Sequence, residues 1–133
     1  MKRKTIDPVA FDQKAIIAET YTTPVNIQGI DELSCVFSWD NGDGSQEHEV
    51  IPEFTNDNPT VEGSTVKYAP VNMNPKDSNT DGFVINGGAG NSGSDGYLMK
   101  GVKAKFLRYR IKRSAGQVDI RIKTYGEETR RVD

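Results

Sequence analysis

Two runs near the end of the chain alternate residue by residue between apolar and cationic side chains, and no other feature restricts the fold as much. In the first, Leu107, Tyr109 and Ile111 alternate with Phe106, Arg108, Arg110 and Lys112. In the second, Val118, Ile120 and Ile122 alternate with Asp119, Arg121 and Lys123. A period of two puts successive side chains on opposite faces of a β-strand, whereas a helical face needs a period near 3.6. Ser114-Ala115-Gly116-Gln117 separates the runs. Two alternating runs around a short Gly-containing turn read as a β-hairpin. On that reading the apolar residues face a core, and Arg108, Arg110, Lys112, Arg121 and Lys123 share the opposite face. A slip of one residue would bury the charges, so the register is fixed.

The same period recurs earlier. Leu33, Cys35, Phe37 and Trp39 point one way, with Ser34 and Ser38 the other. Asp40-Asn41-Gly42-Asp43-Gly44 ends this strand as a turn, since Asn, Asp and Gly tolerate positive φ. Val25 and Ile27 make a short strand after Pro24. Residues 48–54 form a weaker one whose Pro52 suggests a sheet edge, and residues 65–69 form another. Phe83-Val84-Ile85 is a brief apolar run, and residues 87–96, mostly Gly, Ser and Asn, read as a mobile surface loop. Helical periodicity is nearly absent. Residues 8–18 could start a helix at Pro8, but Ile16, Ile17 and Tyr21 suit a strand as well. Seven to nine short strands separated by turn signals suggest an all-β, antiparallel β-sandwich of jelly-roll or immunoglobulin-like type. Residues 1–14 read as a flexible N-terminal arm and residues 15–133 as a single sandwich domain.

A chain of 133 residues can bury enough surface to fold without a staple. The single cysteine, Cys35, excludes an intrachain disulfide and a cysteine-based zinc cluster. The basic Met1-Lys2-Arg3-Lys4 is followed by no apolar stretch, so no secretory signal is expected. No run approaches a membrane span, which needs roughly 20 apolar residues. The net charge of −2 hides a segregation: residues 31–95 hold twelve acids and two bases, and residues 96–124 nine bases and one acid. Such halves either neutralise each other across neighbouring strands or orient partners.

Signs of catalysis are sparse. The one histidine, His48, is expected to be a solvent-exposed strand residue rather than a general base. Cys35, in phase with Leu33 and Phe37, reads as a small buried hydrophobe. Residues 88–93 match G-x-G-x-x-G by letter, but no amphipathic helix follows to receive a pyrophosphate, so no cofactor is expected. Asp77, Asn79 and Asp81, closed by Gly82, match the first half of a calcium loop. Gly88 stands where the bidentate Glu belongs. The segment is then either a metal-free turn or a calcium site completed by a distant carboxylate, and no metal is assigned. The cationic face has three readings: a solvated or internally paired surface, a protein interface, or a phosphate-binding strip flanked by Phe106 and Tyr125. The acidic overall balance disfavours nucleic acid.

Residues 105–111, then Ser114-Ala115-Gly116, then residues 118–122 resemble the recurrent ending of small β-sandwich virion proteins of tailed bacteriophages. There an aromatic-Leu/Val-Arg-aromatic strand leads through a Gly turn into a final strand. Residues 21–30 and 33–39 are similar to the opening strands of that layout, and the likeness is spread over residues 15–126. Residues 70–96 have no counterpart in it. The resemblance implies a non-enzymatic structural subunit, decorating a capsid or associated with a head fibre or tail. It would be present in many copies in contact with other virion proteins, in the particle and in the host cytoplasm during assembly. Two other functions fit a sandwich of this composition. One is a carbohydrate-binding module using Trp39, Tyr68 or Tyr97; the other is a nucleic-acid-binding protein using the basic strands.

Overall fold

In a computed structural model, residues 5–13, 16–58, 66–70, 83–86, 90–100 and 102–128 are described, and they contain ten strands and no helix. The strands are β1 (Thr5–Gln13), β2 (Thr20–Tyr21), β3 (Val25–Asn26), β4 (Glu32–Asp40), β5 (Glu47–Thr55), β6 (Ala69–Pro70), β7 (Phe83–Asn86), β8 (Gly93–Lys100), β9 (Phe106–Ala115) and β10 (Asp119–Glu127). They form two antiparallel sheets. The front sheet runs β1-β10-β4-β8; the back sheet runs β2-β9-β5-β6, with β3 also on β9 and β7 also on β5. This is the two-layer, all-β sandwich expected from the alternation.

The two C-terminal runs are strands, but they do not form a hairpin. β10 pairs with β4 along its whole length, from Asp119 opposite Asp40 to Glu127 opposite Glu32. β9 pairs with β5 in the other sheet, with Val50 opposite Ile111 and Phe54 opposite Leu107. The chain therefore arches from one layer to the other between them. The reversal is held by contacts distant in sequence. Gly116 takes a positive φ of 65°, the Gln117 N–H donates to Asp43 Oδ2 at 3.1 Å, and the Asp43 N–H donates to the Gln117 carbonyl at 3.3 Å. A Cβ on Gly116 would stand 2.6 Å from Asp43 Oδ1 and from the Gln46 nitrogen, so only Gly fits this crossing.

The arch turns the two apolar faces toward each other. Leu107, Tyr109 and Ile111 from the back sheet meet Ile120 and Ile122 from the front sheet, all at most 5% exposed. Leu33, Cys35, Phe37 and Trp39 join from β4, Val50 from β5 and Ile85 from β7. The Phe37 and Tyr109 rings pack edge to face with centroids 5.8 Å apart, the arrangement favoured by ring quadrupoles. Burying each large apolar side chain contributes about 1.5–3 kcal/mol.

Several local expectations change. Residues 5–13, expected in the arm, form β1, an edge strand on β10. Its register shifts between Ile6 and Val9, around Pro8, and this bulge hides the alternation from a reading of the sequence. Residues 16–19 are irregular, and only Thr20–Tyr21 of the expected strand pairs. Pro52 lies inside the sheet, not at its edge, because β5 has neighbours on both sides. The Tyr109 N–H and carbonyl both bond Thr22, on the side of β9 away from β5. Pro52, opposite Tyr109, therefore turns its missing N–H the other way. There it meets the gap between the partners of Val50 on β7 and Glu53 on β6. Gly93 and the residues to Gly96, expected in a mobile loop, are paired in β8 opposite Trp39 to Val36. The calcium-loop residues Asp77, Asn79 and Asp81 lie outside the described residues.

Candidate interaction surfaces

The five cations expected on one face are divided between the two outer faces of the sandwich, because β9 and β10 belong to different sheets. Arg108, Arg110 and Lys112 line the outside of the back sheet; Arg121 and Lys123 line the outside of the front sheet. The two surfaces differ in how far their charge is already used.

On the back face, β5 sets an acid or an apolar residue opposite each β9 cation. Glu53 is opposite Arg108, Ile51 opposite Arg110 and Glu49 opposite Lys112. The Arg108 Nε donates to Glu53 Oε1 at 2.9 Å. The Arg108 guanidinium also lies between two rings, 4.3 Å from the Tyr21 centroid and 3.6 Å from that of Tyr68. Cation–π contacts of this kind favour Arg, whose planar group stacks while its edge holds a carboxylate. Arg110 pairs with Glu19, and that bond holds its pKa above the usual Arg value. The acidic and basic halves of the sequence thus neutralise each other across neighbouring strands here. Arg108 and Arg110 are internal ties, with Glu53 only 5% exposed.

The front face is different. Its outward residues fall in rows across β10, β4 and β8. Arg121, Ser38 and Ser94 form one row; Lys123, Val36 and Gly96 the next; then Tyr125, Ser34 and Leu98; then Glu127, Glu32 and Lys100. Asp12 of β1 flanks the first row and bonds Arg121 at 3.0 Å. Val36, Leu98 and Tyr125 are 49%, 55% and 42% exposed; Tyr125 and Leu98 flank Ser34 in one row, and Val36 lies in the next row on the strand between them. Scattered apolar residues at a surface are ordinary; three on neighbouring positions of one sheet face make it a candidate contact surface. The sequence carries a trace of this patch. Val36 and Tyr125 are apolar or aromatic residues in the polar phase of strands whose other phase is already the core.

The groups considered for catalysis sit elsewhere. His48 is buried, contrary to expectation, because it is in phase with Val50 and faces inward. Its Nε2 lies 2.8 Å from the Ile16 carbonyl, while its Nδ1 is buried without a hydrogen-bond partner. Burial lowers its pKa, the Ile16 bond opposes that, and Arg113 adds to the lowering. The Cys35 thiol is buried 2.6 Å from the Tyr109 hydroxyl, and burial raises its pKa, the opposite of an activated nucleophile. Among the described residues no three His, Cys, Asp or Glu side chains gather as metal ligands. Gly93 of the G-x-G-x-x-G match opens strand β8 rather than a helix. An open cleft of about 480 Å³ at one end of the sandwich is lined by Ile30, Asp31, Val102, Lys103, Lys105 and Glu128, among others. It mixes both charge signs and includes neither His48 nor Cys35. Of the aromatic residues considered for sugar binding, Trp39 is in the core with its Nε1 donating to the Gly90 carbonyl at 3.1 Å. Tyr68 is stacked on Arg108, and the side chain of Tyr97 lies outside the described residues. No described helix is long and apolar enough to cross a membrane.

No protein-family model matches the chain, and no curated protein does. Among solved structures, it is similar to dimeric latent PorU from Porphyromonas gingivalis, at 13% identity and a TM-score of 0.45. The match covers 96% of this chain and 13% of that one, so the chain spans a small fraction of that protein's length.

Proposed function

We propose that this chain is a non-enzymatic assembly subunit that works by protein–protein contact through the outer face of its front sheet. The observation that carries the reading is the exposed group Val36, Leu98 and Tyr125 on a sheet whose opposite face is fully occupied by the core. The back face supports the role less well, because Arg108 and Arg110 are tied to Glu53 and Glu19 and Arg108 is covered by tyrosines. The resemblance of residues 105–122 to the ending of tailed-phage sandwich proteins supplies the setting: a virion structural subunit, in the capsid, head fibre or tail. Mass spectrometry of purified particles tests it. The chain is expected in mature particles at many copies, and its absence from them defeats the reading.

A further inference from the structure

We infer that the partner of the front face is a second copy of this chain, related by a two-fold axis that crosses the strands. The inference takes its setting from the assembly reading above, but its evidence is the arrangement of the rows. A two-fold contact places the same patch of each copy against itself. A two-fold axis within the plane of the face can run along the strands or across them, and charge and overlap tell the two directions apart.

An axis running along the strands, between β10 and β4, would exchange those two columns. It would set Glu127 against Glu32, like charges at close range; run along β4 instead it would set Glu32 against its own copy, and run between β4 and β8 it would leave β1 and β10 outside the contact. An axis across the strands, between the Lys123 row and the Tyr125 row, leaves each column in place and exchanges the rows. Arg121 then meets Glu127 of the other copy, and the Lys123 ammonium meets the Tyr125 ring, a cation–π pairing. Shape agrees with charge. Leu98 of one copy comes to lie over Gly96 of the other, and the reverse. Gly96 lacks a side chain beside Val36; a Cβ there would have only the Cys35 carbonyl at 3.3 Å and Val36 Cγ2 at 3.8 Å near it. Among the described side chains of the face the most exposed apolar one thus falls, twice, on the residue of these rows that has no side chain. The small Ser34, Ser38 and Ser94 let the surfaces approach. Arg121 keeps Asp12 beside it and Glu32 keeps Lys100 opposite it, so the contact does not depend on bare charges.

The area sets the strength. Nine-residue strands span about 30 Å and four strands about 19 Å, giving roughly 550 Å² per copy. The total of roughly 1,100 Å² just clears the lower bound for a specific interface. The dimer is therefore weak and concentration-dependent, the kind of contact that multicopy assembly reinforces.

The test uses the full chain in sedimentation velocity over a broad concentration range, beside Leu98→Lys, with circular dichroism to verify that both retain the fold. The wild type is expected to pass from monomer to dimer, and Leu98→Lys to raise the dissociation constant tenfold or more. A second measurement fixes the axis. Chains carrying Gly96→Cys are mixed with chains carrying Leu98→Cys and treated with a bis-maleimide spanning about 10 Å, the separation of packed sheets. The mixture is expected to cross-link more efficiently than either variant alone. A wild type that stays monomeric throughout overturns the inference, as does a dimer indifferent to Leu98→Lys; preferential cross-linking of Leu98→Cys chains to each other overturns the axis. Dimerisation by a chain absent from particles defeats the virion reading alone. A particle protein that is monomeric in solution defeats this inference alone.

Discussion

The Tyr109 hydroxyl lies 2.7 Å from Thr124 Oγ1, joining β9 to β10 across the core although the two strands belong to different sheets. The same hydroxyl is 2.6 Å from Cys35 Sγ on β4, so three polar atoms meet among the apolar side chains of the core. Replacing Tyr109 by Phe keeps the ring against Phe37 but leaves Thr124 and Cys35 buried without this partner. Leaving a buried polar group unpaired costs about 1–3 kcal/mol, and Tyr109→Phe is expected to lose stability in that range by urea denaturation. Cys35, held as a thiol by burial, is expected to react with thiol reagents only when the protein unfolds.

His48 gives a pH dependence whose sign is fixed by its surroundings. Its Nε2 can donate to the Ile16 carbonyl in the neutral ring, while Nδ1 has no partner for a second proton. The folded pKa is below the ordinary value, so between the two values the unfolded chain binds more protons. Stability from this group is fully present above about pH 6.5 and is lost as pH falls below it toward the folded value. Denaturation midpoints at pH 7.5 and 5.5 should show this fall, and His48→Gln should flatten it over that window.

The five cations of the C-terminal strands are expected to differ in weight. Arg108→Ala strips the buried Glu53 of its partner and empties the space between Tyr21 and Tyr68. It is expected to destabilise by about 2–4 kcal/mol, since an abandoned buried carboxylate is costly. Lys112→Ala, on an exposed position of the same strand, is expected to stay within about 0.5 kcal/mol. Equal losses in thermal melts of the two variants would mean that Arg108 is not a tie.

Asp95 protects the edge strand β8. It stands opposite Phe37, on the inner side of the sheet, yet it is exposed, and its Oδ1 accepts the N–H of Gly96 at 2.8 Å. An inward charge on an edge strand blocks pairing with another chain. Asp95→Val is expected to leave the fold intact and to raise light scattering on incubation at high concentration, while Asp95→Asn gives a smaller rise.

Much of the core was legible in the sequence, and the pairing was not. Alternation named Leu33, Cys35, Phe37, Leu107, Tyr109, Ile111, Ile120 and Ile122 as inward residues, because a period of two depends only on the strand itself. It does not depend on which strand lies alongside, so the same pattern fits a hairpin or an arch. The choice is made at residues 114–117 by Asp43 and Gln46, some 70 positions earlier in the chain, and no local turn rule contains that contact. The division of Arg108, Arg110 and Lys112 from Arg121 and Lys123 follows from the same crossing. His48 could have been placed inside by its phase with Val50; its polarity argued the other way. The exposed patch was harder to see, since Leu98 directly follows residues 87–96, a Gly-rich stretch that reads as a loop until β4 pairs with its end.

The division of β9 and β10 between two sheets is tested most directly by cross-strand nuclear Overhauser effects in the labelled protein. Backbone contacts are expected from residues 119–127 to 32–40 and from residues 106–115 to 47–55, with none between the backbones of Ile120 and Ile111, which enter the core from opposite sheets. A continuous backbone ladder between residues 108–113 and 118–123 would restore the hairpin. It would return all five cations to one face and remove the basis for the front-face assembly.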